Sequence, residues 1–287
     1  MAARLLDGKA LGQRVLEALV PRIDRLSQHG IKVKLRVVRV GDDPASKVYV
    51  GAKLRACQAI GIDGGDVELP ADIKPSAVFE EIAVLNRDRT VHGILVQLPL
   101  PRGFDPHLIA MQLEPTKDVD GFHAVNLGRL LQGRARFIPC TAAGVIRLLD
   151  DAGVVLRGQN AVVVGRSEIA GKPIALLLVE RDATVTVCHS KTRNLASYTR
   201  DADVLVVAAG KAGLIDGAMV KRGAAVIDVG VNRTDAGALV GDVDQASVAT
   251  EAGFLTPVPG GVGPMTVAML MENTVRAAEL QCLGENA

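Results

Sequence analysis

The stretch Ala161-Val162-Val163-Val164-Gly165-Arg166-Ser167-Glu168-Ile169-Ala170-Gly171-Lys172-Pro173 decides the fold. A short apolar run ends in a glycine turn, and a second glycine and a proline open a helix predicted to run to about residue 180. That is the first half of a strand–helix–strand unit. More apolar runs follow at similar intervals: Thr184-Val185-Thr186-Val187-Cys188, Asp203-Val204-Leu205-Val206-Val207 and Ala225-Val226-Ile227-Asp228-Val229. Strand and helix alternating at this spacing predict an α/β protein with a doubly wound, Rossmann-like sheet.

An earlier block is also α/β. Val33, Leu35 and Val37 alternate with Lys and Arg through 32–40, as in a strand. Asp43-Pro44-Ala45-Ser46 is a helix-start signal and Gly61 a plausible stop. Gly93-Ile94-Leu95-Val96-Gln97-Leu98 reads as a second strand, ended by Pro99 and Pro101. Residues 8–29 are helical in pattern through Leu11, Val15, Leu19, Ile23 and Leu26, with Pro21 expected to kink or split the helix. At the far end, Leu255-Thr256-Pro257-Val258-Pro259-Gly260-Gly261-Val262-Gly263-Pro264-Met265-Thr266 specifies one rigid loop, because proline fixes φ and glycine opens otherwise forbidden backbone shapes. Pro264 is predicted to take the first position of a helix running to about 281 that returns to the first domain. The expected division is therefore an N-terminal domain of 1–140 plus 265–287 and a nucleotide domain of 141–264.

Composition agrees. The chain has 287 residues, 48% of them hydrophobic but only 2% aromatic and with no Trp, so its cores must be built from Val, Ile, Leu and Ala. Such cores suit parallel sheets covered by helices. With 33 basic against 32 acidic residues, the net charge of +1 gives no case for nucleic acid or a membrane surface as partner. Cys57, Cys140, Cys188 and Cys282 are scattered, and His29, His92, His107, His123 and His189 lack ligand spacing, so neither a disulfide framework nor a metal site is expected. No apolar run approaches the roughly 20 residues of a membrane span, and no signal-like core opens the chain. The reading is a soluble, reduced, cytoplasmic protein.

Gly165 to Gly171 is not the GxGxxG spacing, so the turn alone is a weak nucleotide signal. Two features sharpen it. Arg166 directly follows the first glycine, where a guanidinium can fork onto a phosphate. After the next strand comes Cys188-His189-Ser190-Lys191-Thr192, with a hydroxyl and a cation where NAD-binding domains carry a carboxylate for the ribose. That favours a 2′-phosphate, hence NADP, against the alternative of an ordinary solvated turn. In the first block, Tyr49 and Lys53 share a helix face. Gln97 interrupts an apolar strand, where a polar side chain needs a partner or a ligand. Lys117-Asp118-Val119-Asp120-Gly121 places two carboxylates in a turn, for which solvation is the simple account.

Taken together, these segments resemble the bifunctional methylenetetrahydrofolate dehydrogenase / methenyltetrahydrofolate cyclohydrolase family from about Asp7 to residue 281. The resemblance is carried by Pro44-Ala45-Ser46 with Tyr49 and Lys53, Gly93 to Pro101, Lys117 to Phe122, Pro139-Cys140-Thr141, the Gly165 and Gly171 turn, and Pro257 to Thr266. It implies NADP-dependent oxidation of 5,10-methylenetetrahydrofolate followed by hydrolysis of the methenyl cation to 10-formyltetrahydrofolate. It also implies Lys53 as the catalytic lysine, with Tyr49 and Gln97 beside it and Asp120 on the pterin's amino edge. Gly260, Gly261, Val262, Gly263 and Pro264 would line the folate side, and Gly165, Arg166, Ser167, Ser190 and Val231 the NADP. A homodimer formed through the nucleotide domain is implied as well. The chain departs from the family at Ala142, where proline is common, and at Ala170, where valine is usual. Neither removes a reactive group. A dehydrogenase-only relative or a non-catalytic NADP-binding module are the alternatives.

Overall fold

The computed structural model describes residues 2–234 and 236–284. The chain forms two compact units: Met1–Gly12 with Thr141–Thr266, and Gln13–Cys140 with Val267–Ala287.

In the first of these, six parallel strands lie in the order Arg4–Leu5, Phe254–Leu255, Ala225–Asp228, Val204–Val207, Asn160–Val164 and Thr184–Cys188. Strands Asn160–Val164, Val204–Val207 and Ala225–Asp228 sit inside the sheet and are buried along almost their whole length, which is why they read as unbroken apolar runs. Thr184–Cys188 is an edge strand, and of its residues only Cys188 is fully buried. From Asn160–Val164 the chain goes first to one side and then to the other, so the sheet has its switch point between that strand and Val204–Val207. Val164, Leu205, Val207, Val226 and Leu255 pack with Val248 in one apolar cluster.

The other unit carries a three-stranded parallel sheet with Lys34–Val40 between Asp63–Leu69 and Gly93–Val96. Val38, Val40 and Ile94 pack against Val78, Ile82 and Leu85 of the helix Pro75–Arg87. The C-terminal helix Val262–Cys282 returns here as expected. Glu279 takes a two-pronged contact from Arg22 at 3.0 and 2.6 Å, and Asn273 Nδ2 donates to the carbonyls of Val119 and Ile138.

Four features differ from the sequence reading. The first twelve residues group with the nucleotide unit, because Arg4 and Leu5 add an edge strand beside Phe254 and Leu255. Two paired residues carry no periodic signal by which sequence could place them. The strand Asp63–Leu69 and the helix Pro75–Arg87 were not anticipated. Gly64 and Gly65 follow Asp63 in the strand, and a Cβ on Gly64 would stand 2.8 Å from that of Cys57, so the glycine admits the neighbouring helix. The last helix starts at Val262, which moves Pro264 to its third position, still within the turn whose N–H groups have no helical partner. Finally, Gly8–Gln28 runs as one helix through Pro21. Leu11, Val15, Leu19, Ile23 and Leu26 are all buried, and their packing outweighs one missing backbone bond.

Pro21 is solvent-exposed and offers no N–H to the carbonyl one turn earlier. Pro21→Ala should therefore stabilise the protein by about 1–3 kcal/mol. A thermal melt checks this; an unchanged or lower midpoint would mean the helix already accommodates the ring without loss.

Candidate functional site

The lysine centre is built from the helix Pro44–Ala59. Asp43 caps it, its carboxylate accepting from Ser46 N at 2.7 Å, and Pro44 supplies the first helical position. This start fixes the phase that puts Ser46, Tyr49 and Lys53 on one side. Lys53 is half-buried, and its Nζ donates to Gln97 Oε1 at 2.8 Å. Gln97 follows directly on the strand Gly93–Val96, where Val38 O takes its backbone N–H. Its Nε2 donates to Leu98 O, which leaves the amide only one orientation, oxygen toward the lysine. Tyr49 is 45% exposed on the same helix, so its hydroxyl is open to a ligand.

The turn after Thr116 is not a solvated acidic loop. Lys117 and Asp118 are buried. Lys117 Nζ donates to the carbonyls of Leu85, Asn86 and Asp88, closing the C-terminal end of the helix Pro75–Arg87. The Asp118 carboxylate accepts from Gly121 N, His123 N and Asn126 Nδ2 at 2.7–3.1 Å. Lys117 is thus spent on fastening the turn to that helix and Asp118 on the turn itself. Asp120 instead faces Lys53 and Cys140. Burial pushes its carboxyl up, an effect that Lys53 opposes and Asp118 adds to. Burial likewise pushes the Lys53 ammonium down, with Asp120 and then Cys140 opposing, and holds the Cys140 thiol well above its usual range. Lys53, Gln97, Asp120 and Cys140 therefore form one electrostatic cluster.

Two of its neighbours escaped the sequence reading as site residues. Cys140 was visible only as part of Pro139-Cys140-Thr141. Ser46 is buried two turns before Lys53, and its hydroxyl has no hydrogen-bond partner; it was visible only as part of Pro44-Ala45-Ser46.

The other unit holds the glycine turn, and close approach explains both glycines. Gly165 has φ +132°, and a Cβ there would lie 2.1 Å from Ala208 O; one on Gly171 would lie 2.3 Å from Gly165 O. The helix Gly171–Glu180 thereby presses onto the end of its own strand. Ser167 braces the helix start from outside it: Oγ accepts from Ala170 N and Gly171 N, and its carbonyl from Lys172 N. This serine thus engages the first N–H groups of the helix. Arg166, Ser190 and Lys191 are exposed, and Val231 is 50% exposed. After Cys188, a turn closed by His189 N on Thr192 Oγ1 and by Lys191 N on His189 Nδ1 holds Ser190 and Lys191, with no carboxylate among its residues. Glycines that admit close contact at the sheet's switch point, followed by a hydroxyl and a cation, fit a dinucleotide with a 2′-phosphate.

The Pro/Gly loop belongs to this same unit. Gly260 has φ +112°, and its carbonyl accepts from Lys9 N at 3.1 Å. Gly8 allows the start of the first helix to touch Gly261, where a Cβ would clash at 1.8 Å. Val262 is buried, whereas Gly263 is exposed and Pro264 half-buried, so backbone is the surface this loop offers. Among the described residues no cluster of His, Cys, Asp or Glu is arranged to hold a metal ion.

Residues 6–120 match the catalytic domain of tetrahydrofolate dehydrogenase/cyclohydrolase, and residues 139–282 match the NAD(P)-binding domain of the same family. A "Bifunctional protein FolD" of Bordetella bronchiseptica is 54% identical over 279 residues, covering 97% of this chain and 99% of that one. The bifunctional methylenetetrahydrofolate dehydrogenase/cyclohydrolase of Campylobacter jejuni superposes with a TM-score of 0.95 at 47% identity over 97% of this chain and 99% of that one. The Trypanosoma brucei enzyme, solved with NADP cofactor and inhibitor, gives a TM-score of 0.93 at 39% identity, covering 97% and 98%.

The two carboxylates of the turn should separate in a stability test. Asp118→Asn sets an amide against three donors and should cost about 3 kcal/mol. The folded chain holds the Asp120 proton more tightly than the unfolded chain does, so its ionised form costs stability at neutral pH. Asp120→Asn should therefore leave thermal stability unchanged or raise it; a loss equal to that of Asp118→Asn would show that Asp120 also serves the fold.

Proposed function

We propose that this chain, which belongs to the tetrahydrofolate dehydrogenase/cyclohydrolase family, carries out both of that family's reactions with Lys53 as the proton-transfer group. It is an NADP-dependent methylenetetrahydrofolate dehydrogenase and a methenyltetrahydrofolate cyclohydrolase. The first reaction converts 5,10-methylenetetrahydrofolate to the methenyl cation, and the second converts that cation to 10-formyltetrahydrofolate. The observation that carries the assignment to Lys53 is its hydrogen bond to an uncharged amide inside a buried cluster.

A lysine near its free pKa of about 10.4 is protonated at neutral pH and cannot act as a base. Here burial weakens its hold on the proton, and Gln97 orients the amine without contributing a charge that would restore it. A cationic substrate pushes the same way. The neutral amine can then take the proton of a water molecule as its oxygen bonds to the methenyl carbon. As the carbon–nitrogen bond of the adduct breaks, the lysine returns a proton to the departing ring nitrogen, and the second proton of the water leaves for solvent. The same neutral amine suits the oxidation, because a fixed ammonium would oppose the cation that forms.

Asp120 would accept from the amino edge of the pterin, a pairing that also fixes ring orientation. Tyr49, half-exposed on the lysine's helix, completes the folate contacts, and Gly260 to Pro264 offer backbone to the folate. Bound NADP supplies the hydride acceptor. Gly165, Arg166, Ser167, Ser190 and Val231 would hold it, with Arg166 and Ser190 on the 2′-phosphate.

The protein would work as a cytoplasmic homodimer. Cys57, Cys140, Cys188 and Cys282 are all free, and no helix of the described residues is long and apolar enough to cross a membrane. The free edge of the strand Thr184–Cys188, with Val187 40% exposed, supports pairing through the nucleotide unit.

Lys53→Met should abolish cyclohydrolase turnover while leaving NADP affinity intact, and wild-type hydration should rise with pH to a plateau reached below the titration of free lysine. Hydration at the wild-type rate by folded Lys53→Met would overturn the assignment. For the cofactor, Arg166→Ala should weaken NADP binding about tenfold or more and NAD binding much less. Equal losses would place Arg166 on the shared pyrophosphate.

A further inference from the structure

Two buried acids in the nucleotide unit have no part in the chemistry above. Asp228 ends the strand Ala225–Asp228, and Asp242 follows the short strand Leu239–Val240; both are 1% or less exposed. The Asp242 carboxylate gathers three successive backbone N–H groups, those of Ala209 (2.6 Å), Gly210 (2.8 Å) and Lys211 (2.8 Å). It also accepts from Asn232 Nδ2 at 2.8 Å. One side chain thus ties together the loops that leave two neighbouring parallel strands, Val204–Val207 and Ala225–Asp228.

Asp228 supports this arrangement from below. It accepts from Gly230 N, Asp242 N, Val243 N and Gln245 Nε2, while its own N–H donates to Thr256 Oγ1 at the root of the Pro/Gly loop. The packing leaves no slack: a Cβ on Gly230 would lie 2.2 Å from the Asp242 carboxylate, and one on Gly241 would lie 1.7 Å from that of Asp228. Burial and the neighbouring Asp242 push the Asp228 carboxyl up to about 6.

The gathered loop is the wall facing the glycine turn. Ala208, directly before it, is the residue whose carbonyl a Gly165 side chain would strike, and Ala208 N donates to Val164 O. The sheet's switch point lies between Asn160–Val164 and Val204–Val207, and the carboxyl ends of strands at a switch point are where such folds bind their ligands. Asn232, the other group held, adjoins Val231. Burying two neighbouring carboxylates is costly in an apolar unit, and apolar side chains of the same size would fill the space. Only an acceptor can hold four donors at once in the loops that edge the crevice.

We propose that Asp242 is the positioning residue for the cofactor: it holds the loops Ala209–Lys211 and Gly230–Asn232 in the shape that NADP binds, without touching NADP itself. This rests on the NADP-dependent reading above, and wild-type enzyme that forms no NADPH from methylenetetrahydrofolate would fail that reading before any variant is compared.

The test is Asp242→Asn in the full chain, with both activities measured on one preparation. Hydration of methenyltetrahydrofolate consumes no NADP, and its proton-transfer group Lys53 lies in the other unit, so it reports on folding. The expected result is a KM for NADP raised about tenfold or more, a dehydrogenase kcat changed far less, and unaltered cyclohydrolase turnover. An unchanged KM, or parallel loss of both activities, overturns the proposal. Should Asp242→Asn fail to fold, Asn232→Ala decides. It leaves the grip on Ala209–Lys211 and frees only the second loop, so it should raise the KM for NADP by a smaller factor, about threefold; no rise would overturn the proposal.

Discussion

A lysine amine packed against an uncharged amide is the constraint around which the catalytic unit is arranged. In water the amine would keep its proton, and beside a dedicated carboxylate it would keep it more firmly. The unit avoids both outcomes. Gln97 is locked with its oxygen toward Lys53 because its nitrogen is engaged by Leu98 O and its backbone by Val38 O. The helix that carries Lys53 starts at a fixed point, set by Asp43 and Pro44, and packs closely on the edge strand where Gly64 makes room for Cys57. Asp120 is a carboxylate facing the lysine, and burial disfavours its charge as well. Of the other charges of that turn, Lys117 ties it to the helix Pro75–Arg87 and Asp118 is consumed in building it.

The nucleotide unit meets a different demand, which is to present backbone closely and in one shape. Gly165 and Gly171 permit the approach of strand, loop and helix by having no side chain. Ser167 closes the helix start, and Asp242 with Asp228 fastens the loops at the ends of the adjacent strands. Polar groups are buried in both units for a geometric purpose: in one they set a proton affinity, in the other a loop shape.

Much of this was legible in the sequence, for reasons that differ from element to element. The inner strands Asn160–Val164, Val204–Val207 and Ala225–Asp228 are covered on both faces, so their apolar runs declared them. Gln97 stood out because an amide inside an apolar run needs a partner, and Lys53 is that partner. Edge elements were harder to read. Arg4–Leu5 and Asp63–Leu69 owe their existence to a neighbouring strand, and neither carries an apolar pattern of its own. The helix Pro75–Arg87 does carry one, in Val78, Ile82 and Leu85 after a proline start. Asp228 ends an apolar run, Asp242 lies between Gly241 and Val243, and Asp118 lies in a charged turn; acids at such ends and turns are usually solvated, and nothing local shows how many donors converge on them.

The claim on which the mechanism depends is that Lys53 gives up its proton more readily than a free lysine. The direct measurement is the pH titration of its side chain by NMR, following the Cε shift in protein labelled at lysine and assigned by loss of the signal in Lys53→Arg. The account predicts a midpoint clearly below the ordinary lysine value of about 10.4, moving back up in Gln97→Glu, where a charge replaces the amide. A Lys53 that titrates with the exposed lysines would contradict it.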